Sequence, residues 1–266
     1  MSDGFRNYID SERQDMVRRT YKDNHVNMTV EHVLDMHDKW LKFSHGKHSI
    51  EDVLGLVDTI IDDSDPDTSL PNTVHAFQTA ESLRERYPET DWLHLVGLLH
   101  DLGKVMCCWG EPQWNVVGDT YPVGCAFSDK IVFHEFFSDN PDSLSKNYST
   151  KLGLYERFCG LSDVLMSWGH DEYIYRVLKH NGCTIPAPGL FAIRYHSFYP
   201  WHTGGAYGHL TSVNDRAMLP WITCFNQHDL YTKSGKVYNE AERSRLWNSY
   251  YKQLCEKYGI GGKLQW

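Results

Sequence analysis

Apolar residues recur at helical spacing through most of the chain. After a polar lead-in over residues 1–27, Val30, Val33, Leu34, His37, Trp40 and Leu41 predict a helix from Met28 to Leu41 with Thr29 as its N-cap. Ser49-Ile50-Glu51-Asp52 reads as a capping box, and Val53, Leu54, Val57, Ile60 and Ile61 continue a helix from it. The acidic run Asp62-Asp63-Ser64-Asp65-Pro66-Asp67 ends that helix and reads by default as a solvated turn. Further helices are predicted from Asn72 or Thr73 to Arg86, His170 to Lys179, Pro188 to Tyr199, Pro220 to Tyr231 and Asn239 to Lys257. Residues 107–147, rich in Gly, Pro and aromatics, read as a long loop with short strands at 116–117 or 130–133. The expectation is one mostly α-helical domain over residues 1–266.

The run Leu93 to Lys104, capped by Asp91, is the most apolar stretch and yet carries His100, Asp101 and Lys104. Continued as an α-helix it puts Gly97, His100, Asp101 and Lys104 on one face, with leucines and Val96 over the remaining surface. Gly97 would then leave room for whatever that face holds. Buried ionisable groups are costly unless paired or bound to metal, so the face is either a site or a packing network.

Composition narrows the class. The 266 residues are 41% apolar and 23% charged, ordinary for a globular protein, and 26 basic against 35 acidic side chains argue against a nucleic-acid or anionic-membrane surface. No run is long enough to span a bilayer, and the first residues lack an apolar signal core. Seven scattered cysteines without a Cys-x-x-Cys suit reduced thiols, so a cytoplasmic setting is expected. The sequons at Asn27 and Asn147 are read as chance matches.

Four His-Asp dipeptides occur, beginning at His37, His100, His170 and His228. Neighbouring helical residues point about 100° apart. One dipeptide therefore offers a histidine to one ion and a carboxylate that bridges to another, rather than two ligands to the same ion. His37 reads as surface; His75, His170 and His196 are better placed. Imidazoles and carboxylates drawn from several helices are how helical proteins build dinuclear sites. Such a donor set leaves iron, manganese and zinc open. Gly103-Lys104 is not a phosphate loop, and no nucleophile elbow or dinucleotide fingerprint is present.

Long strings then decide the matter. Pro71-Asn72 with His75 to Glu81, Asp91 to Lys104, Gly110 to Trp114, Val117 to Thr120, Leu165 to Tyr173, His196 to Gly204 and Asp229 to Lys233 resemble the myo-inositol oxygenases, and the likeness runs from about Phe5 to Trp266. The resemblance implies a divergent helical HD-domain fold with a dinuclear metal site in its core. It assigns His75, His100 and Asp229 to a first iron and His170 and His196 to a second, with Asp101 bridging. It implies a mixed Fe(II)/Fe(III) pair that uses O2 to cleave one ring C–C bond of myo-inositol, giving D-glucuronate. Lys104, one turn after the ligand pair, would hydrogen-bond a substrate oxygen at the metal and act with Asp101 in catalysis. Arg6, Asp62, the backbone at Gly118, Asp119, Ser197 and Lys233 would hold other hydroxyls, His196 would face the substrate from the second iron, and Tyr21 would belong to a closing segment. Residues 125–147 follow the family loosely and nothing is transferred to them. His228 stands where an apolar residue is expected and is read as supporting Asp229 or lying at the surface.

The partner implied is a small polyol, with neither nucleic acid nor membrane, and the chain is expected to act as a monomer. The rival enzyme is an HD-type metal-dependent phosphohydrolase, sharing the His…His-Asp…Asp skeleton. Asp62 and Asp119 oppose a phosphate there, whereas Lys104, Arg6 and Lys233 favour one. A metal-free binding protein on the same fold would not need all six ligands, and all six are present.

Overall fold

The computed structural model describes residues 6, 8, 9, 11–67, 69–231 and 235–266. Its first helix, α1 (Gln14–Asn27), lies within the lead-in for which no helix is expected. The reason is chemical. Its inward face, Val17, Thr20, Tyr21, Asn24 and His25, has helical spacing but only two apolar members, so hydrophobic periodicity does not register it. α2 (Val30–Trp40) starts at the Thr29 cap, whose side chain accepts the His32 N–H. His37, expected at the surface, is half-buried against the Trp168 ring. The capping box at Ser49 and Asp52 forms in full and opens α3 (Ile50–Val57).

α4 (Asn72–Arg86) and α5 (Asp91–Leu99) pack along each other. A Cβ on Gly97 would stand 2.8 Å from the Ala80 Cα. Gly97 thus serves the close approach of these two helices, a correction to the room it was expected to give the site. Leu95, Val96, Leu98 and Leu99 are fully buried. At roughly 1.5–3 kcal/mol each, their burial offsets the cost of drawing polar neighbours into the core.

The α-helix stops at Leu99, where a continuous helix to Lys104 is expected. A 3₁₀ segment, Leu102–Trp109, follows. This segment runs close against the His170 backbone: a Cβ on Gly103 would lie 2.1 Å from the His170 carbonyl oxygen, so only glycine fits there. From there to residue 147 the chain is a loop with 3₁₀ turns, buried mainly over residues 115–125, and it forms none of the expected strands. The two strands among the described residues are β1 (Lys47–His48) and β2 (Leu264–Gln265), paired antiparallel.

α6 (His170–His180) follows its expectation. α7 (Ala187–Tyr195) ends four residues early, and α8 (Tyr199–His202) is a separate turn. α9 (Val213–Tyr231) begins seven residues before Pro220, which sits inside it. Ser212 and Asp215 exchange N–H bonds across its start, a capping pair that the sequence reading passed over for the proline. The C-terminal helix is divided into α10 (Glu240–Leu246), a π turn and α11 (Lys252–Lys257). α7 and α9 give side chains to both hydrophobic clusters of the core, Ile193 and Phe225 to one, Tyr195 and Ile222 to the other. No helix among the described residues is long and apolar enough to cross a membrane.

Candidate metal centre

Five elements converge on one polar cavity. α4 brings His75 on its first turn, the end of α5 brings His100 and Asp101, and α6 opens on His170. His196 caps α7, and Asp229 lies near the end of α9. All six are buried.

Asp101 stands between two sets of imidazoles. Its Oδ2 is 3.5 Å from His100 Nε2, while its Oδ1 is 3.3 Å from His170 Nε2 and 3.7 Å from His196 Nε2. His75, His100 and Asp101 form one group able to hold an ion, and Asp101, His170 and His196 form another. Asp229 Oδ1 joins the first, 2.7 Å from His75 Nε2 and 3.4 Å from His100 Nε2. The structure therefore brings all six expected ligands together, with one carboxylate facing both groups.

Hydrogen bonds at the other ring nitrogens decide what the cavity accepts. His100 Nδ1 lies 2.8 Å from the Gly97 carbonyl, His170 Nδ1 2.8 Å from that of Val116, and His196 Nδ1 2.9 Å from that of Ile193. A carbonyl only accepts, so each Nδ1 carries the proton and each Nε2 points inward with a lone pair. Lone pairs facing carboxylate oxygens require a cation between them, either a second proton or a metal ion. Burial alone would lower the His170 pKa, yet Asp171 and Asp101 push it up to about 10. Burial would raise Asp101, but Lys104 and His100 hold it well below the carboxylate range, and His100 and His75 do the same for Asp229. Imidazole and carboxylate donors without thiolate fit iron, manganese or zinc.

Lys104 is directed by the 3₁₀ turn, which stacks residues three apart. Its Nζ is 2.8 Å from Asp101 Oδ2, 2.7 Å from Asp62 Oδ2 and 3.3 Å from Asn72 Oδ1. Against burial, Asp101 and Asp62 keep the ammonium protonated. Asp62 thus faces inward, and the acidic run is no solvated turn: Arg13 donates to the Asp62 and Asp65 carbonyls. Over the mouth, Arg6 pairs with Asp119 at 2.7 Å, and the Tyr21 hydroxyl donates to Asp119 at 3.0 Å. Gly118, at φ +104°, passes beneath the Tyr21 ring, a conformation that favours glycine. Ser197 Oγ sits 3.4 Å from His170 Nε2. Lys233 lies outside the described residues.

The sequence assigns no part in the site to Asp171, Thr120 or Arg13, and gives Asn72 only a place at the start of α4. The first turn of α6 buries two acids, Asp171 and Glu172, and Asp171 Oδ1 lies 2.8 Å from His170 Nε2. The His-Asp dipeptide was a usable signal, but Asp171 turns toward the same imidazoles as its neighbour rather than bridging to the other group. His228 is half-buried, its Nδ1 2.6 Å from Ser82 Oγ on α4, so it ties α9 to the helix of His75.

Over most of its length the sequence is similar to known proteins. The family model for myo-inositol oxygenase matches residues 14–266. An inositol oxygenase of Danio rerio is 51% identical over 98% of this chain and 93% of its own length. One of Mus musculus is 50% identical over 99% and 91%. A probable inositol oxygenase of Oryza sativa subsp. japonica is 48% identical over 98% and 85%. With a matched family model over nearly all of its length and relatives near half-identity, the chain belongs to the myo-inositol oxygenase family.

Proposed function

We propose that the protein is an iron-dependent inositol oxygenase, a single domain that cleaves one ring C–C bond of myo-inositol with O2 to give D-glucuronate. The names of its relatives and its family support the activity. The observation that carries the dinuclear reading is Asp101, with one oxygen toward each imidazole group. His75, His100 and Asp229 would hold one iron, His170 and His196 the other, and Asp101 both. When bound, such a pair supplies Lewis acidity toward an alcohol oxygen and the electrons for O2 chemistry.

The chain's own residues bind, orient and shield. Lys104 holds its proton at Nζ beside Asp101 and donates it as a hydrogen bond to a substrate oxygen. Asp62, Asp119 and Ser197 accept from or donate to other hydroxyls, as do Arg6, Lys233 and the Gly118 backbone. Because a polyol presents only hydroxyls, a shell of fixed donors and acceptors is what discriminates it from analogues lacking one. Tyr21 and Arg6 close the mouth and keep water from the reacting carbon. The seven unpaired cysteines support a reducing, cytoplasmic setting.

The test is oxygen uptake by the anaerobically iron-loaded chain on adding myo-inositol, with product identification and phosphate release from nucleotides measured in parallel. Uptake with glucuronate is expected. Phosphate release without uptake would assign the site to the phosphohydrolase reading instead.

A further inference from the structure

The second pair of imidazoles is held by more than its own hydrogen bonds. α6 opens with His170, Asp171 and Glu172, and successive helical side chains diverge by about 100°. Asp171 therefore reaches one way and Glu172 another. Asp171 Oδ2 accepts the Ser197 N–H at 3.1 Å and the Thr120 hydroxyl at 3.1 Å, while its Oδ1 accepts the Ser197 hydroxyl at 3.1 Å. Glu172 takes a two-point grip from Arg194, Nε to Oε2 at 2.6 Å and Nη2 to Oε1 at 3.1 Å, and a third bond from Arg176 at 2.6 Å. Ser197 is the residue after His196, and Arg194 lies two before it. The two carboxylates that follow one imidazole thus seize the chain on both sides of the other.

We propose that Asp171 and Glu172 are positioning residues that fix the separation of His170 and His196 and so preorganise the second metal position. This rests on the reading that those histidines hold an ion. Burying Glu172 and Arg194 is not explained by stability, because a buried ion pair gains little over apolar side chains of the same size. What it adds is direction: the planar guanidinium meets the carboxylate in one orientation. Asp171, Glu172 and Arg194 are all buried, which keeps both grips out of bulk solvent.

The test is anaerobic Fe(II) binding by the full chain, wild type beside Asp171→Asn and Glu172→Gln, followed by equilibrium dialysis with metal analysis. Circular dichroism and thermal melting verify the fold. Two ions per wild-type chain are expected; a single ion would overturn the dinuclear reading itself. In each variant the first ion should bind as in wild type and the second about 10–100-fold more weakly. A merely structural role would weaken both ions together. That outcome, or two ions at wild-type affinity in a folded variant, overturns the proposal. Where Glu172→Gln does not fold, Asp171→Asn, which keeps the side-chain shape, carries the comparison.

Discussion

The two halves of the site hold their imidazoles in different ways. In the His170 and His196 half, both Nδ1 atoms are bonded to backbone carbonyls, and two buried carboxylates bind the flanking chain. In the His75, His100 and Asp229 half, among the described residues, only His100 has such a carbonyl partner, and His75 Nδ1 is buried without one. That half depends on its own carboxylate, with Asp229 drawing both rings toward one oxygen. One half is built by scaffolding around its ligands, the other by charge within its ligand set. Asp101 belongs to both, and Gly103 lets the segment after it press against the His170 backbone.

Removing the shared carboxylate should therefore have the largest effect. Asp101→Ala is expected to lose both irons and all turnover, as measured by metal analysis of the anaerobically loaded protein. One iron retained would mean that the halves do not share it. Ligands of one half should act locally. His75→Ala is expected to leave one iron per chain, held by His170 and His196. His170→Ala should leave the other. If either variant lost both ions while still folded, the two halves would be one unit and the contrast between them would fall.

The sequence reached different depths in different places. Helices α2, α3, α4 and α6 were legible because a cap or a flanking breaker coincided with apolar periodicity. α1 was not, because it buries Thr20, Asn24 and His25 rather than a hydrophobic stripe. Pro220 misled, since proline favours the first turn of a helix, where its missing N–H costs nothing, and here it sits in the interior of α9 instead. In the site, residue types and family strings pointed to six side chains, and the structure gathers them. The support around them was illegible for a physical reason. Glu172 and Arg194 are 22 positions apart, and only the packing of α6 on α7 turns them into a buried pair. The end of α5 was hidden likewise, because the apolar run continues past Leu99 while the winding changes from α to 3₁₀.

Lys104 provides a cut between holding metal and using it. It touches the Asp101 carboxylate, which faces both imidazole groups, but offers no lone pair while protonated, so Lys104→Ala should retain two irons and lose turnover by about 10²–10³-fold, the effect of removing one directed donor. Metal analysis beside oxygen uptake separates the two. Full activity in the variant would remove Lys104 from the chemistry, and loss of one iron would show that it supports a ligand half instead.

The smallest expected effect distinguishes the halves by pH in the metal-free chain. His170, with a folded pKa pushed up to about 10 by Asp171 and Asp101 against burial, binds its proton more tightly folded than unfolded. Its contribution is complete below the ordinary histidine value of about 6.5 and is lost as pH rises through about 10. Asp229 works in the opposite sense. Its pKa is held well below the carboxylate range, so its contribution is present above about 4 and is lost only as the solution becomes strongly acid. Melting of the metal-free chain should thus fall between about pH 7 and 10 through the scaffolded half. Iron, standing where the extra proton stood, should flatten that alkaline limb. An alkaline limb unchanged by iron, or one that survives in His170→Asn, would mean that the cation demand of the cavity lies elsewhere than between His170 and its two carboxylates.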